Sequence, residues 1–245
     1  MKYIDHLKIV NPLDLFGWND LRKRISAAEK LIGLHQDSVD LVYENIQECK
    51  KQIAKWQKLM EQDVEANFDV EIENFDIIRQ YYELNGRYLL LNMDILVAFK
   101  YMLKAKSDWD YRFFARRSYT LMHETRVGYI GKLGGFKNVI KDKVPEKNYE
   151  LYCRCIKDFN TFFQEHDQDF VYVRNLNEAH KGEDFEKQYD SICNLSVEKS
   201  SILIQGFQVY MANLYMVLNV VLTSLNNYTS LKLLDNMKAK MNSCK

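Results

Sequence analysis

Residues that interrupt helices are scarce in this chain. Its 245 residues include 2 prolines and 9 glycines, well below the average usage of roughly 5% and 7%. No alternation of apolar and polar residues is long enough to predict a β-strand. These absences argue against a fold built on sheets, and the composition predicts an all-α protein made of long helices.

An excess of charge of either sign is also lacking. The 34 basic residues balance 34 acidic ones, which argues against the overall basic surface of many nucleic-acid-binding proteins. The local balance is uneven, because residues 100–150 carry 12 Lys or Arg against 6 Asp or Glu, whereas residues 71–99 carry 2 against 5. The basic stretch predicts either a local contact with nucleic acid or a solvated helix face.

The common cofactor and metal motifs are absent from the sequence. It contains no P-loop, no G-x-G-x-x-G, G-x-S-x-G or H-E-x-x-H motif, and no Glu-x-x-His pairs of the di-iron bundles. Cys153 and Cys155 are two positions apart, so a helix would point them about 200° apart, which does not suit a zinc site. We therefore predict no cofactor and no metal site.

The cysteines and the first residues bear on the compartment of the protein. The odd number of cysteines, 5, favours free thiols in a reducing compartment. The opening stretch "MKYIDHLKIVNPLDLF" has no charged segment followed by an apolar one, which a secretory signal would have. We therefore predict a cytoplasmic protein.

Hydrophobic periodicity predicts an N-terminal helical hairpin over residues 1–70 and a main bundle of long antiparallel helices over residues 71–245. The hairpin consists of helices at about 19–34 and 39–66. In the bundle, Ser107 or Asp108 is the expected N-cap of one helix, and the glycines of "GKLGG" predict its end near Lys132. The expected bundle helices are 74–105, 108–132, 147–172, 184–194 and 197–230.

The second helix of the hairpin carries an apolar seam of the coiled-coil type. Apolar residues recur at intervals of three and four over residues 39–64, and such a seam needs a partner. That partner is the first hairpin helix, the main bundle or another subunit. One function that follows is a non-catalytic helical protein that binds a partner protein through this seam. The contact residues would include Ile46, Ile53, Trp56 and Met60.

The last predicted helix is uncharged over most of its length. No charged residue lies between Lys199 and Lys232, and residues 202–225 are long enough to span a bilayer. The glutamine, asparagine and threonine side chains within this stretch are costly in lipid but find partners between helices. We therefore predict the core helix of a soluble bundle, with a membrane segment or a subunit-interface helix as the alternatives.

An arginine and a histidine lie close together in the stretch "VYVRNLNEAHKGEDF". The guanidinium of Arg174 can grip a phosphate with two donors, and His180 can exchange a proton near neutral pH. Together they suffice for metal-independent cleavage of RNA, in which the ribose 2′-OH is the nucleophile. A straight helix would put them about 120° out of line, so we expect Arg174 to end one element and His180 to begin the next. The alternative is a helix junction closed against Asp167 or Asp169.

The run "RNLNEAH" resembles the R-x(4–6)-H signature of the HEPN superfamily, in which a polar residue, often Asn, follows the arginine. The resemblance implies a dimeric helical bundle over about 74–230 and a metal-independent ribonuclease of a bacterial toxin–antitoxin, abortive-infection or CRISPR system. It implies catalytic roles for Arg174 and His180, with Asn175 as the associated polar residue. The implied partners are a second copy of the chain, RNA, and a protein partner or antitoxin. Inactive HEPN-like bundles also occur.

A second match to the same pattern lies in "ARRSYTLMH", between Arg117 and His123. In the same stretch Arg116 and His123 are seven positions apart, hence two turns along one helix face. These three residues form a second candidate anion site. Pairing with acids across the bundle is the structural alternative.

Overall fold

The computed structural model describes residues 12–62, 68–174, 185–193 and 195–243. Within these residues the chain forms eight α-helices and one π-helical turn, without a strand, so the predicted all-α helical bundle is confirmed. The elements are α1 (Pro12–Gln62), α2 (Asp69–Leu103), α3 (Asp108–Glu124), the π turn (Thr125–Tyr129), α4 (Ile130–Ile140), α5 (Glu146–Glu165), α6 (Asp167–Arg174), α7 (Phe185–Cys193) and α8 (Val197–Ser243).

The N-terminal hairpin does not form, because α1 is a single helix of 51 residues. The predicted turn between residues 34 and 39 lies inside it. One residue in every seven is buried from Leu21 to Cys49, without a break at that point: Leu21, Ala28, His35, Val42 and Cys49. A continuous buried face needs no turn, and burial of this face outweighs the weak helix propensity of Gly33.

The chain packs as two compact units. Unit 1 contains the described residues up to Asp37, together with Leu89–Ile130 and Asp158–Met211. Unit 2 contains Ser38–Tyr88, Gly131–Lys157 and the described residues from Ala212 onward. Neither unit coincides with a division at residue 70, because α1, α2, α5 and α8 each contribute residues to both.

The core of unit 1 is built from aromatic rings of α5, α6 and α8. The Phe159 and Phe207 rings lie 5.4 Å apart, and the Phe163 and Phe170 rings are also 5.4 Å apart. Phe162 contacts the same cluster, and all five side chains are buried. Burial of each large apolar side chain contributes about 1.5–3 kcal/mol, so this cluster fixes how the three helices pack.

The core of unit 2 explains why α4 continues past its expected end. The helix runs through the glycines of "GKLGG" to Ile140 instead of stopping near Lys132. Leu133, Phe136 and Ile140 are buried at helical spacing, and the Tyr152 hydroxyl donates to the Leu133 carbonyl at 2.9 Å. Burial of three apolar side chains outweighs the cost of roughly 1 kcal/mol for each interior glycine.

The apolar seam of α1 packs on α2 inside unit 2. Of the three partners predicted for the seam, the structure therefore shows the main bundle. Val42 and Cys49 are buried, and a Cβ on Gly86 of α2 would lie 3.2 Å from Val42 Cγ1. The Trp56 ring lies 4.9 Å from the Phe68 ring. Ile46, Ile53, Trp56 and Met60 are each half-buried. Whether these four residues also bind a separate partner stays a prediction.

The long helix α8, which has no charged residue between Lys199 and Lys232, lines both cores. Its side chains at Ile204, Phe207, Met211, Leu214, Leu218, Val221 and Leu225 are fully buried. By length and composition, one stretch of the described chain, Glu198–Ala239, also qualifies as a membrane span, and 39% of its most apolar window is buried. The periodic buried row is what a core helix requires, and the compartment of the protein stays a prediction.

A buried histidine predicts that unit 1 loses stability in mild acid. Asn92 Nδ2 lies 2.8 Å from His35 Nε2. Because the amide nitrogen can only donate, the ring nitrogen accepts and the imidazole is neutral. Burial lowers the pKa of His35 below its ordinary value. The unfolded chain, with a His pKa of about 6.5, therefore takes up the proton first, and stability is complete above that pH and falls below it.

Urea unfolding between about pH 7.5 and pH 5.5, on either side of the ordinary His pKa, measures this loss. His35→Gln is the control, because it keeps a neutral hydrogen-bonding side chain and removes the titration. The wild-type protein should lose more stability than the variant over this range. Equal losses in the two proteins would show that His35 does not carry the effect.

Candidate functional site

The candidate catalytic segment begins where α6 ends. Arg174 is the last residue of α6, and α7 begins at Phe185. Asn175 and His180 lie outside the described residues, as does the side chain of Arg174. The structure therefore defines the helices on either side of this segment and leaves the approach of Arg174 to His180 as a prediction.

Two ion pairs hold α6 to neighbouring helices. Arg126, in the π turn, donates to the carboxylate of Asp167. Lys199, in the first turns of α8, donates to Asp169 Oδ1 at 2.6 Å. In the helix-junction alternative, Arg174 would pair with Asp167 or Asp169. In the structure, Asp167 is paired with Arg126 and Asp169 with Lys199. Exposed pairs of this kind contribute at most about 1 kcal/mol each, so they orient α6 more than they stabilise it.

The buried side of α6 supplies the stabilising contact. Phe170 is fully buried, and its ring lies 6.1 Å from the ring of Tyr119 on α3. His166, in the turn between α5 and α6, lies with its ring 4.9 Å from that of Phe162. Its Nδ1 is 3.8 Å from Asp169 Oδ2. The predicted single helix over 147–172 is thus two helices, α5 and α6, separated at His166.

The π turn is the one irregularity in the long helical run from α3 to α4. Thr125 in this turn is fully buried, and its hydroxyl donates to the Leu121 carbonyl at 2.8 Å. π turns are rare and occur frequently at functional sites. Here the turn carries Arg126, the residue that binds α6, so the irregularity coincides with the anchoring of the helix that ends at Arg174.

Arg112 is a buried residue that joins α3 to the end of α7, and the sequence reasoning missed it. It is only 5% exposed, and its Nε donates to Asp108 Oδ2 at 2.5 Å. Its Nη1 donates to the carbonyls of Ile192 and Leu195, which are at the end of α7 and just beyond it. Arg112 thus satisfies carbonyls that a helix end leaves without intrahelical partners. The Asp-x-x-x-Arg spacing at the start of α3 is the signal that could have found it.

Helix α3 and the adjoining π turn therefore hold both helices that flank the candidate segment. Arg126 binds α6, and Arg112 binds the end of α7. The start of α3 is fixed in turn by Ser107, whose Oγ accepts from the Asp110 backbone N–H at 3.1 Å. Of the two predicted N-caps, Ser107 is the one observed.

The second candidate anion site lies on two different sides of α3. Arg117 is exposed, whereas His123 is buried, as expected for positions six apart on a helix. Arg116 is half-buried on the same side as His123, and burial lowers its pKa. The R-x(5)-H match between Arg117 and His123 therefore does not gather its two residues at one surface.

No group of three or more His, Cys, Asp or Glu side chains suited to a metal ion occurs in the described part of the chain. Cys49, Cys153, Cys155 and Cys193 are free thiols. The fold and the contacts define an all-α bundle in which charged side chains hold α6 and α7, the helices before and after the segment that follows Arg174 in the chain. Comparisons with protein-family models, with curated proteins and with solved structures find no match to this chain.

Replacement of Arg112 should destabilise the protein strongly. Arg112→Ala leaves the Asp108 carboxylate and the Ile192 carbonyl without their buried partner. Removing one member of a buried ion pair costs about 3–5 kcal/mol. Arg117→Ala is the matched control, because Arg117 lies on the same helix but is exposed, and surface substitutions stay within about 0.5 kcal/mol. Denaturant unfolding followed by circular dichroism measures both, and equal stability of the two variants would contradict this role of Arg112.

Proposed function

We propose that this protein is a HEPN-like, metal-independent ribonuclease of a bacterial defence or toxin–antitoxin system. Arg174 and His180 form the catalytic pair, with Asn175 as the associated polar residue. The observation that carries the proposal is the pairing of Asp167 and Asp169 with Arg126 and Lys199. The two acids of α6, the helix that ends at Arg174, are thereby paired with cations, so they repel an incoming phosphate less.

The proposed reaction needs only the RNA and these side chains. The ribose 2′-oxygen attacks the adjacent phosphorus, the new O2′–P bond forms and the P–O5′ bond breaks. A neutral His180 takes the proton from the 2′-OH, and a protonated His180 gives one to the leaving O5′. Arg174 stabilises the charge that develops on the phosphate oxygens. The products are a 2′,3′-cyclic phosphate and a 5′-hydroxyl end.

A homodimer suits this chemistry. Each chain offers one His180, whereas the reaction uses one basic and one acidic imidazole. Two Arg174 and His180 pairs that face a single RNA cleft supply both. The partners expected on this proposal are therefore a second copy, RNA, and an antitoxin protein that blocks the cleft.

Cleavage of a labelled oligoribonucleotide in the presence of a metal chelator tests the proposal. His180→Ala and Arg174→Ala should each reduce the rate at least about 100-fold, because acid–base and electrostatic groups each contribute that much or more. Arg117→Ala is the matched control and should keep the wild-type rate, since its R-x(5)-H partner lies on another side of α3. A 2′-O-methyl group at the cleaved nucleotide should block the reaction.

Other outcomes would contradict the nuclease proposal. Cleavage that stops on adding the chelator, or that persists unchanged in His180→Ala, would exclude this mechanism. A His180→Ala protein that no longer folds would instead favour the helix-junction alternative. Light scattering gives the mass of the active species, and a strictly monomeric active enzyme would contradict the shared cleft.

A second candidate function is a non-catalytic interaction protein that uses the α1 seam. The seam has two rows: Val42 and Cys49 are buried in unit 2, whereas Val39, Ile46, Ile53 and Met60 are half-exposed at spacings of seven. This second row is an apolar edge along which a further helix can pack.

Charges along that edge test the second candidate. The triple substitution Ile46→Glu, Ile53→Glu and Met60→Glu should reduce the associated mass in solution while the helical content stays at the wild-type level. Leu41→Glu is the control, since Leu41 is exposed on α1 and lies outside the row. An unchanged mass in the triple variant would exclude the seam as an interface.

A further inference from the structure

A groove between α2 and α4 in unit 2 is lined by charged and apolar residues that do not belong to the candidate catalytic segment. It has a volume of about 280 Å³. Its lining includes Glu83, Leu84 and Arg87 of α2 and Lys132, Gly135 and Phe136 of α4. We refer to it as the α2–α4 groove.

The walls of the α2–α4 groove carry an excess of positive charge. Arg87 and Lys132 are both exposed, and neither forms an ion pair with another residue of the described ranges. Glu83 is the acid among the lining residues, and Arg79 donates to its Oε1 at 2.6 Å. Arg79 also binds Asp76 at 2.5 Å, so this one cation is shared between two acids. The lining of the groove therefore has two cations, Arg87 and Lys132, against one acid, Glu83, and a net charge of +1.

The floor of the α2–α4 groove is apolar. Leu84 and Phe136 are both buried beneath it. Gly135 has no side chain, and a Cβ built there would meet nothing within 4 Å, so a ligand can approach the backbone of α4. The volume is below the roughly 300–1,000 Å³ of drug-sized sites. The space suits one phosphate with a single ring system at most.

The lining selects among ligand classes. A cationic ligand is repelled by Arg87 and Lys132, and a wholly apolar one leaves both cations without a counter-charge. Arginine binds phosphate oxygens with two parallel donors, and lysine binds them as a point charge. An apolar floor next to these donors favours the sugar or base that is attached to a phosphate. Lys132 also belongs to the basic stretch 100–150 that the sequence singles out.

We infer that the α2–α4 groove binds the phosphate of a nucleotide through Arg87 and Lys132, either within an RNA strand or as a free nucleotide. This inference does not need the protein to be a catalyst. If the proposed nuclease activity holds, the groove is a second contact for the RNA substrate, and it lies in unit 2 whereas Arg174 lies in unit 1.

Fluorescence anisotropy with a labelled single-stranded oligoribonucleotide tests the RNA arm. The measurement uses the His180→Ala protein with a chelator present, so that cleavage does not interfere. Arg87→Gln combined with Lys132→Gln should weaken binding at low salt. It should also make the plot of log K against log salt shallower by about 0.7, since the groove holds one phosphate and each phosphate contact to a single strand contributes about that much.

The matched control is the double variant Lys147→Gln and Arg154→Gln. Both residues are exposed on α5 in unit 2 and lie outside the groove, so the control removes the same charge. It should keep the wild-type salt dependence. An equal loss of affinity in both double variants would overturn the inference, because general attraction to a basic surface would then explain the binding.

Calorimetric titration with uridine 5′-monophosphate tests the free-nucleotide arm. Binding that the Arg87 and Lys132 substitutions abolish, without binding of the oligoribonucleotide, identifies a free nucleotide as the source of the phosphate. If the wild-type protein binds neither the oligoribonucleotide nor uridine 5′-monophosphate, the inference is overturned. RNA binding that depends on Arg87 and Lys132 in a protein that never cleaves RNA supports the groove and refutes the nuclease proposal. Cleavage of RNA by a protein whose RNA binding does not depend on Arg87 and Lys132 supports the nuclease proposal and overturns the inference about the groove.

Discussion

Burial of the long apolar stretch of one helix, α8, is the constraint on which the rest of the structure depends. α8 presents fully buried side chains at Ile204, Phe207 and Met211 to unit 1 and at Leu214, Leu218 and Val221 to unit 2. Each such burial contributes about 1.5–3 kcal/mol, several times the value of an exposed ion pair. The apolar face of α8 therefore stabilises both cores, and the charged contacts elsewhere serve mainly to select one arrangement of the shorter helices.

The shorter helices around the candidate segment show that second role of charge. α6 and α7 have 8 and 9 residues, which is too short to be stable as isolated helices. α6 is held by its buried Phe170 and by the contact of Arg126 with Asp167. α7 is held by its buried Ile192 and by the contact of Arg112 with the Ile192 carbonyl. Both helices that flank the candidate segment in the chain are therefore held by a buried apolar side chain and by a charged contact.

The basic stretch 100–150 resolves into cations with different surroundings. Arg112 and Arg126 bind acids or carbonyls of neighbouring elements in unit 1. Lys143 lies 3.5 Å from Glu73 in unit 2, whereas Lys132 lines the α2–α4 groove. Arg112, Arg126 and Lys143 are thus paired within the protein. Lys132 instead lines the groove together with Arg87, which belongs to a different helix.

The sequence by itself determined the all-α class, the start of α3 at Ser107 or Asp108 and the existence of α2, α5, α7 and α8, because these follow from local periodicity and capping within a few turns. It also supplied the Arg174 motif as a hypothesis. Tertiary structure decided where helices stop: α1 passes through Gly33 and α4 through Gly134, since burial against distant residues outweighs local propensity. It likewise decided which charges meet, because Arg112 with Ile192 and Arg87 with Lys132 are far apart along the chain and only packing brings each pair together.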